Sequence, residues 1–186
     1  MSERRLKHPH DDALRPAQRD AMAAFEAERG YRVHGPFDVM LHAPDLMMRA
    51  ATLGSHVRLN NALPKRLSEF AILITARHWR QDFEWSHHRP HALEAGLDEA
   101  LIEDLALGLR PRAMDDDAAL VYSFCSELLV NRSVSDPTFA AAEARFSAEG
   151  VVDLTGVCGY YSLLAMMLNV ARIGGDESAA PLPALP

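Results

Sequence analysis

Residues 63–105 read LPKRLSEFAILITARHWRQDFEWSHHRPHALEAGLDEALIEDL, and this stretch carries two helical patterns in succession. Pro64 stands in the position that prolines favour at the start of a helix. The residues from Leu67 to Ile74 then place apolar side chains on most sides of that helix. Because a helix that is apolar all round is buried, we expect it to lie at the centre of the fold. The second helix lies within residues 77–97 and ends at Gly96, a residue typical of left-handed C-caps.

The rest of the chain also carries the start and stop signals of helices. No segment shows the sustained alternation of apolar and polar residues that a half-buried β-strand requires. The sequence therefore predicts an all-α, single-domain helical bundle over residues 15–173, preceded by a polar arm over residues 1–14 and followed by a Pro-rich tail over residues 174–186. The other predicted helices cover residues 15–29, 45–60, 98–108 and 116–131, a segment that begins at Ser135, and residues 151–172.

Composition narrows the class of protein. Of the 186 residues, 48% are hydrophobic and 24% are charged, as in an ordinary globular domain. The formal net charge of −7 argues against a general nucleic-acid binder, which needs a basic face. The apolar stretch at residues 160–170 is too short and too interrupted to span a bilayer, and residues 1–12 lack the apolar core of a secretory signal. Cys125 and Cys158 stand far apart in apolar helical segments, which predicts reduced, buried thiols in a cytoplasmic protein.

The second helix concentrates ionisable side chains. Residues four apart share a helix face, so Glu84 can contact His88, and His87 can contact His91. The two pairs point in different directions, because neighbouring helix positions differ by about 100°. The four side chains therefore do not converge on one ion, and no HExxH or cysteine pattern supplies further zinc ligands. We expect no metal site here, and the spacing alone leaves the roles of His87 and His91 open.

Glu69 is unusual because it stands in the almost wholly apolar helix. A carboxylate in such a position is costly unless a partner satisfies it. One interpretation is a buried hydrogen bond between Glu69 and a histidine or arginine of the neighbouring helix, which only fixes helix packing. The other is a proton-transfer site in which Glu69 joins Glu84 and His88. The residue spacing does not choose between them.

The same stretch resembles the core of the carboxymuconolactone decarboxylase family, within the alkylhydroperoxidase D-like superfamily. The later segment VVDLTGVCGYYSLLAMMLNV, residues 151–170, resembles the family's closing helix. The resemblance spans residues 36–173 and implies a helical bundle of the alkylhydroperoxidase D-like type. The central pattern begins with a glutamate on an apolar helix, here Glu69. A Phe-Glu-Trp triplet follows at residues 83–85, with a histidine, His88, after two further residues. The pattern ends with a Gly-Leu turn at residues 96–97 and an acidic helix start at Asp98.

The resemblance also argues against a thiol-based redox activity. In the peroxidase branch of the superfamily, a Cys-x-x-Cys pair ends four residues before the histidine and forms the redox centre. Gln81 and Glu84 occupy those two positions in this chain. Because the thiolate is both nucleophile and electron carrier, the pattern excludes thiol peroxidase or disulfide reductase activity at this site. Cys125 and Cys158 lie on other predicted helices and do not restore the motif.

The decarboxylase branch implies cofactor-free acid–base chemistry on a small carboxylated lactone or a related carbonyl compound. The substrate's conjugated carbonyl takes up the electrons released with carbon dioxide, so no cofactor is expected. The resemblance makes Glu69, Glu84 and His88 the catalytic residues. In this assignment His88 donates the proton, Glu84 fixes its tautomer, and Glu69 raises its basicity or relays protons. We expect the three to meet across two helices at the edge of a mostly apolar pocket. The candidate residues for binding an anionic substrate are Arg58, Arg77, Trp85 and Arg89.

An alternative class is a non-catalytic, oligomeric helical protein that binds a small molecule. A pocket closed by Trp79 and Trp85, without a free histidine nitrogen, favours that alternative, whereas a pocket faced by His88 favours the enzyme. In both classes we expect a homo-oligomer, because the closing helix is apolar on most sides while residues 64–79 already occupy the centre. The resembled family implies a closed trimer or hexamer, and a dimer is compatible with an N-terminal arm that covers one interface.

Overall fold

The computed structural model describes residues 3–175 and 181–184, and the secondary structure within them is helical, without a β-strand. The all-α prediction is confirmed. The predicted arm (1–14) and tail (174–186) fall in part on residues 1–2, 176–180 and 185–186, which lie outside the described residues. A 3₁₀ turn at Asp11–Ala13 precedes eight α-helices in the described part of the chain: α1 (Pro16–Arg29), α2 (Pro36–Met40), α3 (Pro44–Ser55), α4 (Lys65–His78), α5 (Asp82–Glu94), α6 (Glu99–Ala106), α7 (Asp116–Asn131) and α8 (Asp136–Ala171).

Helix α4 is the central helix, as its apolar sequence predicts. Every residue from Leu67 to Arg77 is buried. The helix packs against α5, α7 and α8, and its side chains Phe70, Ile72 and Leu73 are fully buried. Each such side chain stabilises the fold by about 1.5–3 kcal/mol relative to exposure. The polar residues within this buried span, Glu69 above all, are therefore held inside the core.

Several helix boundaries follow from the capping residues. Gly30 ends α1 with φ 74°, the left-handed conformation expected of a C-cap glycine. The Asp98 carboxylate accepts a hydrogen bond from the Ala100 amide at 2.8 Å and starts α6, as predicted. Helix α7 has the predicted bounds. The segment predicted as one helix over residues 45–60 instead divides into α3 and a π-helix at His56–Asn60.

The chain after Ser135 contains two helical segments, as predicted, but they meet a few residues before the expected start at Val151. Helix α8 runs from Asp136 to Ala171, and its break lies at Ser147, with φ 64° and ψ 172°. Gly150 lies just after that break and allows close packing across it. A Cβ at this position would lie 2.7 Å from the Phe146 Cβ. The glycine therefore allows two helical segments to meet closely and does not end a helix.

Helix α8 also differs from the expectation of a short, interrupted apolar stretch. Its 36 residues include an 18-residue window with a mean hydropathy of 1.5, which by length and composition is enough to cross a membrane. Of that window, 56% is buried inside the protein. The central helix of a globular protein has a similar length and composition. Here, α8 packs against the other helices, which bury much of its apolar surface.

Both described ends of the chain contact the helices. The Arg5 amide donates to the Ala171 carbonyl at the end of α8, at 2.8 Å. At the other end, the Leu182 amide donates to the Asp82 carboxylate at 2.8 Å. The N-terminal residues thus meet α8, while the C-terminal residues meet the start of α5.

Candidate active site

The centre of the site is a buried hydrogen bond between α4 and α5. His88 Nδ1 donates to Glu69 Oε2 at 2.8 Å, and each residue is 2% exposed. Burial by itself raises the pKa of Glu69, but the His88 hydrogen bond and nearby positive charges outweigh it and leave that pKa below its usual value. Burial lowers the pKa of His88 despite the opposing effect of Glu69. The arrangement therefore favours an ionised Glu69 and a neutral imidazole whose Nε2 carries the free lone pair.

Glu84 lies on the other side of the imidazole. Its Oε2 is 3.7 Å from His88 Nε2, one helical turn away on α5. Its Oε1 is buried without a hydrogen-bond partner among the described residues. Burial raises the pKa of Glu84 to about 8, although the positive charge of Arg58 acts in the opposite direction. Glu84 is therefore mainly a neutral carboxylic acid at pH 7, which is the protonation state of a general acid.

The hydrogen bond between Glu69 and His88 Nδ1 agrees with the role expected of Glu69, because a carboxylate at Nδ1 raises the basicity of the imidazole. Glu69 makes the contact that orients the His88 ring, and this function was expected of Glu84. The helix spacing already showed that Glu84 and His88 share a face, but it could not predict how α4 packs against α5. That packing brings the Glu69 carboxylate to Nδ1 and leaves Glu84 beside Nε2 without a second partner.

The three side chains meet across two adjacent helices, as expected, and Glu84 and His88 line a cavity of about 50 Å³. The wall is more polar than the mostly apolar pocket that we expected. Trp79 and Trp85 do not close it. Trp79 Nε1 donates to Ser162 Oγ at 2.8 Å, and Trp85 lines a different cavity. Besides Glu84 and His88, the cavity is lined by aromatic, histidine and arginine side chains, including Tyr31, His34, Phe37, Phe83, His87, Tyr160, Tyr161, Arg29 and Arg58.

Arg58 is the predicted substrate-binding residue that the fold does bring to this cavity. It sits on the π-helix, a rare conformation that is frequent at functional sites. The side chain is half-buried and has no hydrogen bond or ion pair with another described residue. Its charge influences Glu69, Glu84, His87 and His88. An uncommitted guanidinium at the rim of a cavity can bind an anion.

The other three predicted binding residues do not line this cavity. Arg77 lines a second cavity beside α7. Trp85 and Arg89 line a third cavity of about 460 Å³, between α5, α6 and residues 181–183. Arg89 pairs there with Glu99 at 2.6 Å. All three lie near Glu84 or His88 in sequence or on the neighbouring helix, but their helix faces point them elsewhere.

The structure separates the two histidines whose roles the sequence leaves open. His87 lines the cavity and stacks on Phe83, with ring centroids 6.0 Å apart. Burial, followed by the charges of His88 and Arg58, lowers the pKa of His87 to about 4, so its ring is neutral at pH 7. His91 lies 3.5 Å from the Glu94 carboxylate. Within residues 3–175 and 181–184, no three His, Cys, Asp or Glu side chains form a group that could hold a metal ion.

Sequence reasoning missed part of the wall. Arg29, at the end of α1, donates to the Ala51 carbonyl at 2.5 Å, and its Nε is buried without an acceptor among the described residues. A basic residue in the last turn of a helix is common, so the sequence contained no signal for it. Tyr160 and Tyr161 stand in the quoted closing helix. The Tyr161 ring meets His88 edge to face, with centroids 4.9 Å apart.

Gly54 shows why Tyr160 fits beside α3. A Cβ at this position would lie 2.2 Å from the Tyr160 hydroxyl oxygen. Such an approach is impossible for two non-bonded atoms, so a larger residue at position 54 would displace the tyrosine. The glycine therefore shapes one wall of the cavity.

The two thiols lie far apart in sequence but not in space. Cys125 on α7 and Cys158 on α8 are fully buried, and their sulfur atoms are 3.4 Å apart. Burial raises the pKa of Cys125 well above its usual value, whereas the hydrogen bond with Cys125 lowers the pKa of Cys158, which is equally inaccessible. A protonated, inaccessible thiol is a poor nucleophile. The two sulfur atoms are in contact within the core, and neither is exposed to a peroxide.

We therefore expect no thiol-dependent turnover of an alkyl hydroperoxide. The measurement is peroxide consumption with a dithiol reductant by the wild-type chain and by Cys125→Ser and Cys158→Ser variants. The expected rates of all three equal the rate without protein. Turnover by the wild-type chain that either substitution abolishes would contradict this prediction.

Comparison with known proteins supports the fold. No family model matches the chain, and no curated protein matches it. Among solved structures, the fold is similar to a peroxidase-related protein from Ralstonia eutropha JMP134, described as an alkylhydroperoxidase AhpD core. The TM-score is 0.75 at 14% sequence identity, over 95% of this chain and 94% of that chain. The prediction of an alkylhydroperoxidase D-like helical bundle is confirmed.

Proposed function

We propose that this protein catalyses cofactor-free acid–base chemistry, a decarboxylation or a proton transfer, on a small carboxylated lactone or a related carbonyl compound. The observation that supports it is the cavity-lining pair of Glu84 and His88, in which a neutral carboxylic acid lies 3.7 Å from the free nitrogen of an oriented imidazole. This arrangement contains a proton donor and a proton acceptor side by side. A hydrogen bond that only fixes packing needs Glu69 and His88 but not an unpartnered, buried Glu84.

In the proposed decarboxylation, the bond between the substrate and its carboxylate carbon breaks and carbon dioxide leaves. The electron pair moves into the conjugated carbonyl and forms an enolate. Glu84 then delivers its proton to carbon, and His88 Nε2 is placed to exchange a proton with Glu84. Glu69 remains ionised and holds the imidazole in the tautomer with hydrogen on Nδ1. In the simpler proton transfer, the same groups remove and return a proton next to a carbonyl.

Arg58, with Arg29 as a second cation, is proposed to hold the anionic oxygens of the substrate. The charge that develops on the enolate oxygen is stabilised most by groups already fixed in the wall, because they need no reorganisation. The cavity of about 50 Å³ encloses only part of such a molecule, so the remainder of the substrate extends out of the cavity. Tyr160, Tyr161 and Phe83 contribute aromatic surface to the wall of this cavity.

A turnover experiment tests this function. Small lactone carboxylates, muconate-like acids and 3-oxo acids are incubated with the full chain in deuterated buffer, and NMR follows loss of the carboxylate and deuterium incorporation. Glu84→Gln keeps the shape of the side chain but cannot donate the proton, so we expect the rate to fall by about 10²–10⁴-fold. Arg89→Met is the matched control. It alters a residue of the third cavity and should leave the rate unchanged.

Calorimetry with the same compounds separates the alternatives. Binding without exchange or carbon dioxide release would favour the non-catalytic small-molecule-binding protein. Turnover that survives Glu84→Gln would contradict the proposed acid. Neither binding nor turnover with any member of the class would overturn the proposed substrate class.

We also propose a cytoplasmic homo-oligomer, with a closed trimer or hexamer preferred over a dimer. Helix α8 carries apolar side chains at the surface of the single chain: Val152, Met166 and Val170 are 69%, 42% and 59% exposed. Apolar groups of this size are normally covered when they form a contiguous patch. Methionine adapts well to such contacts. The exposed face of α8 is therefore the proposed contact surface.

A further inference from the structure

Residues 181–183, Pro-Leu-Pro, cross the junction between α4 and α5. Two hydrogen bonds of this segment use its main chain. The Leu182 amide donates to Asp82 Oδ1 at 2.8 Å, and the Pro183 carbonyl accepts from Arg77 Nη1 at 2.9 Å. Arg77 lies in the last turn of α4, and Asp82 is the first residue of α5. One short segment therefore fastens the ends of two neighbouring helices.

The side chain between the two prolines is the apolar contact of this segment. Leu182 is half-buried and packs against the main hydrophobic core, whereas the two prolines are exposed. Proline fixes φ near about −65° and favours an extended residue before it, so little conformational freedom is lost when such a segment docks. Trp85 stands beside the segment, in the wall of the third cavity. We call the surface formed by Arg77, Asp82 and Trp85 the tail groove.

The buried guanidinium of Arg77 gives the tail groove a strong donor for the segment. Arg77 is 4% exposed, and its Nε and Nη2 have no acceptor among residues 3–175 and 181–184. Because arginine keeps its charge in proteins, a hydrogen bond from its guanidinium is charge-assisted and stronger than a neutral one. Release of the segment would remove the Pro183 acceptor from this charge. The tail groove therefore holds the main chain as well as the leucine.

The path of the chain supports an intramolecular contact. Gly175, shortly after the end of α8, lies so close to Asp82 that a Cβ at position 175 would be 3.0 Å from the Asp82 carbonyl oxygen. Leu182 then contacts the carboxylate of the same residue. The described chain on both sides of residues 176–180 thus meets Asp82, and the connection needs no long reach.

We propose that the tail groove is a peptide-recognition site for a leucine flanked by prolines, and that residues 181–183 of the same chain are its ligand. The Asp82 carboxylate binds the main-chain amide of the leucine, and the Arg77 guanidinium binds the carbonyl of the second proline. The leucine side chain supplies the apolar contact, as in other grooves that bind proline-rich segments. The site is independent of the proposed catalytic function.

Competition with a free peptide tests the site in the full chain. Leu182→Glu replaces the apolar contact with a charged side chain and should empty the tail groove. A fluorescently labelled peptide of residues 179–186, AAPLPALP, should bind this variant at least tenfold more tightly than the wild-type chain. The reason is that the attached segment competes at a high effective concentration. Fluorescence anisotropy measures the binding, and a peptide that carries the same Leu182→Glu change should not bind.

Ala184→Glu is the matched control, because it introduces the same charge two residues further on, at an exposed position. Its tail groove should remain filled, so its affinity for the peptide should equal that of the wild type. No peptide binding to Leu182→Glu, or equal binding to all three chains, would overturn the proposal. A lower molecular mass of Leu182→Glu than of the wild type in light scattering would place the segment in a neighbouring copy and overturn the intramolecular assignment.

Hydrogen exchange supplies a test that needs no change in the segment itself. In the wild-type chain the Leu182 amide should be protected at least tenfold relative to the Ala184 amide. Asp82→Ala removes the acceptor of the Leu182 amide and should reduce its protection at least tenfold. An unprotected Leu182 amide in the wild type would show that the segment does not dock. Circular dichroism of each variant checks that the helical fold is retained.

Discussion

Replacing His88 with leucine is expected to lower the free energy of unfolding by about 3–5 kcal/mol at pH 7, because it leaves the Glu69 carboxylate buried without its partner. In the wild-type chain the two groups are 2.8 Å apart, and both are almost fully buried. Glu69 then either remains charged in an apolar core or takes up a proton, because burial raises its pKa once His88 is gone. Both outcomes destabilise the folded chain. Urea denaturation, followed by circular dichroism, measures the change.

A double variant separates this effect from the loss of packing. In His88→Leu/Glu69→Leu, the unpaired carboxylate is gone, so the double variant should be more stable than His88→Leu by about 2 kcal/mol or more. His91→Leu is the control on the same helix. His91 is partly exposed, and its replacement should change the free energy of unfolding by less than about 0.5 kcal/mol. Additive effects of the two substitutions would show that the buried pair contributes no specific interaction.

The second large effect is a pH dependence that Glu84 imposes on stability. Its pKa is about 8 in the folded chain against the ordinary 4.5. Between these values the folded chain binds the proton more tightly than the unfolded chain does. The stabilisation of the folded chain by protonated Glu84 is fully present below pH 4.5 and is lost as the pH rises through about 8. Glu84→Gln, which is neutral at every pH, should therefore gain stability relative to the wild type by about 4 kcal/mol between pH 5 and pH 9.

The difference between Glu84→Gln and the wild type isolates this group. Glu69 and His87 have lowered pKa values, so their contributions are lost as the pH falls, which is the opposite direction. These contributions are common to both chains and cancel in the difference. Glu103→Gln removes an exposed carboxylate on α6 and is the control. Its difference from the wild type should stay flat over the same range. A flat difference for Glu84→Gln would show that Glu84 ionises normally.

The helical content and the central position of α4 were predictable because both are local properties. Apolar side chains on most sides of residues 67–74 require burial whatever packs around them. Capping residues such as Gly30 and Asp98 act within one turn, so their effects are also encoded nearby. The division of residues 135–172 into two helices was also predicted, but the structure places it at Ser147 and not at the expected start near Val151.

The candidate site was predictable only in part. A carboxylate in an apolar helix indicates a buried partner, and the spacing of Glu84 and His88 places both on one face of α5. Which glutamate orients the imidazole depends on how α4 packs against α5, and that information is not contained in either helix alone. The sequence-based assignment therefore gave the orienting contact to Glu84, whereas the structure places the Glu69 carboxylate at His88 Nδ1.

The sequence alone determined the helical class and the buried central helix, and it predicted buried partners for Glu69 and contact between Glu84 and His88, because helix periodicity and the cost of a buried charge act within a few residues. Tertiary packing alone decided which arginines face the cavity. Arg29 and Arg58 come from α1 and the π-helix after α3, whereas Arg77 and Arg89 on α4 and α5 line other cavities. The direction of a long side chain depends on the helix face and on the neighbours that the fold places against it.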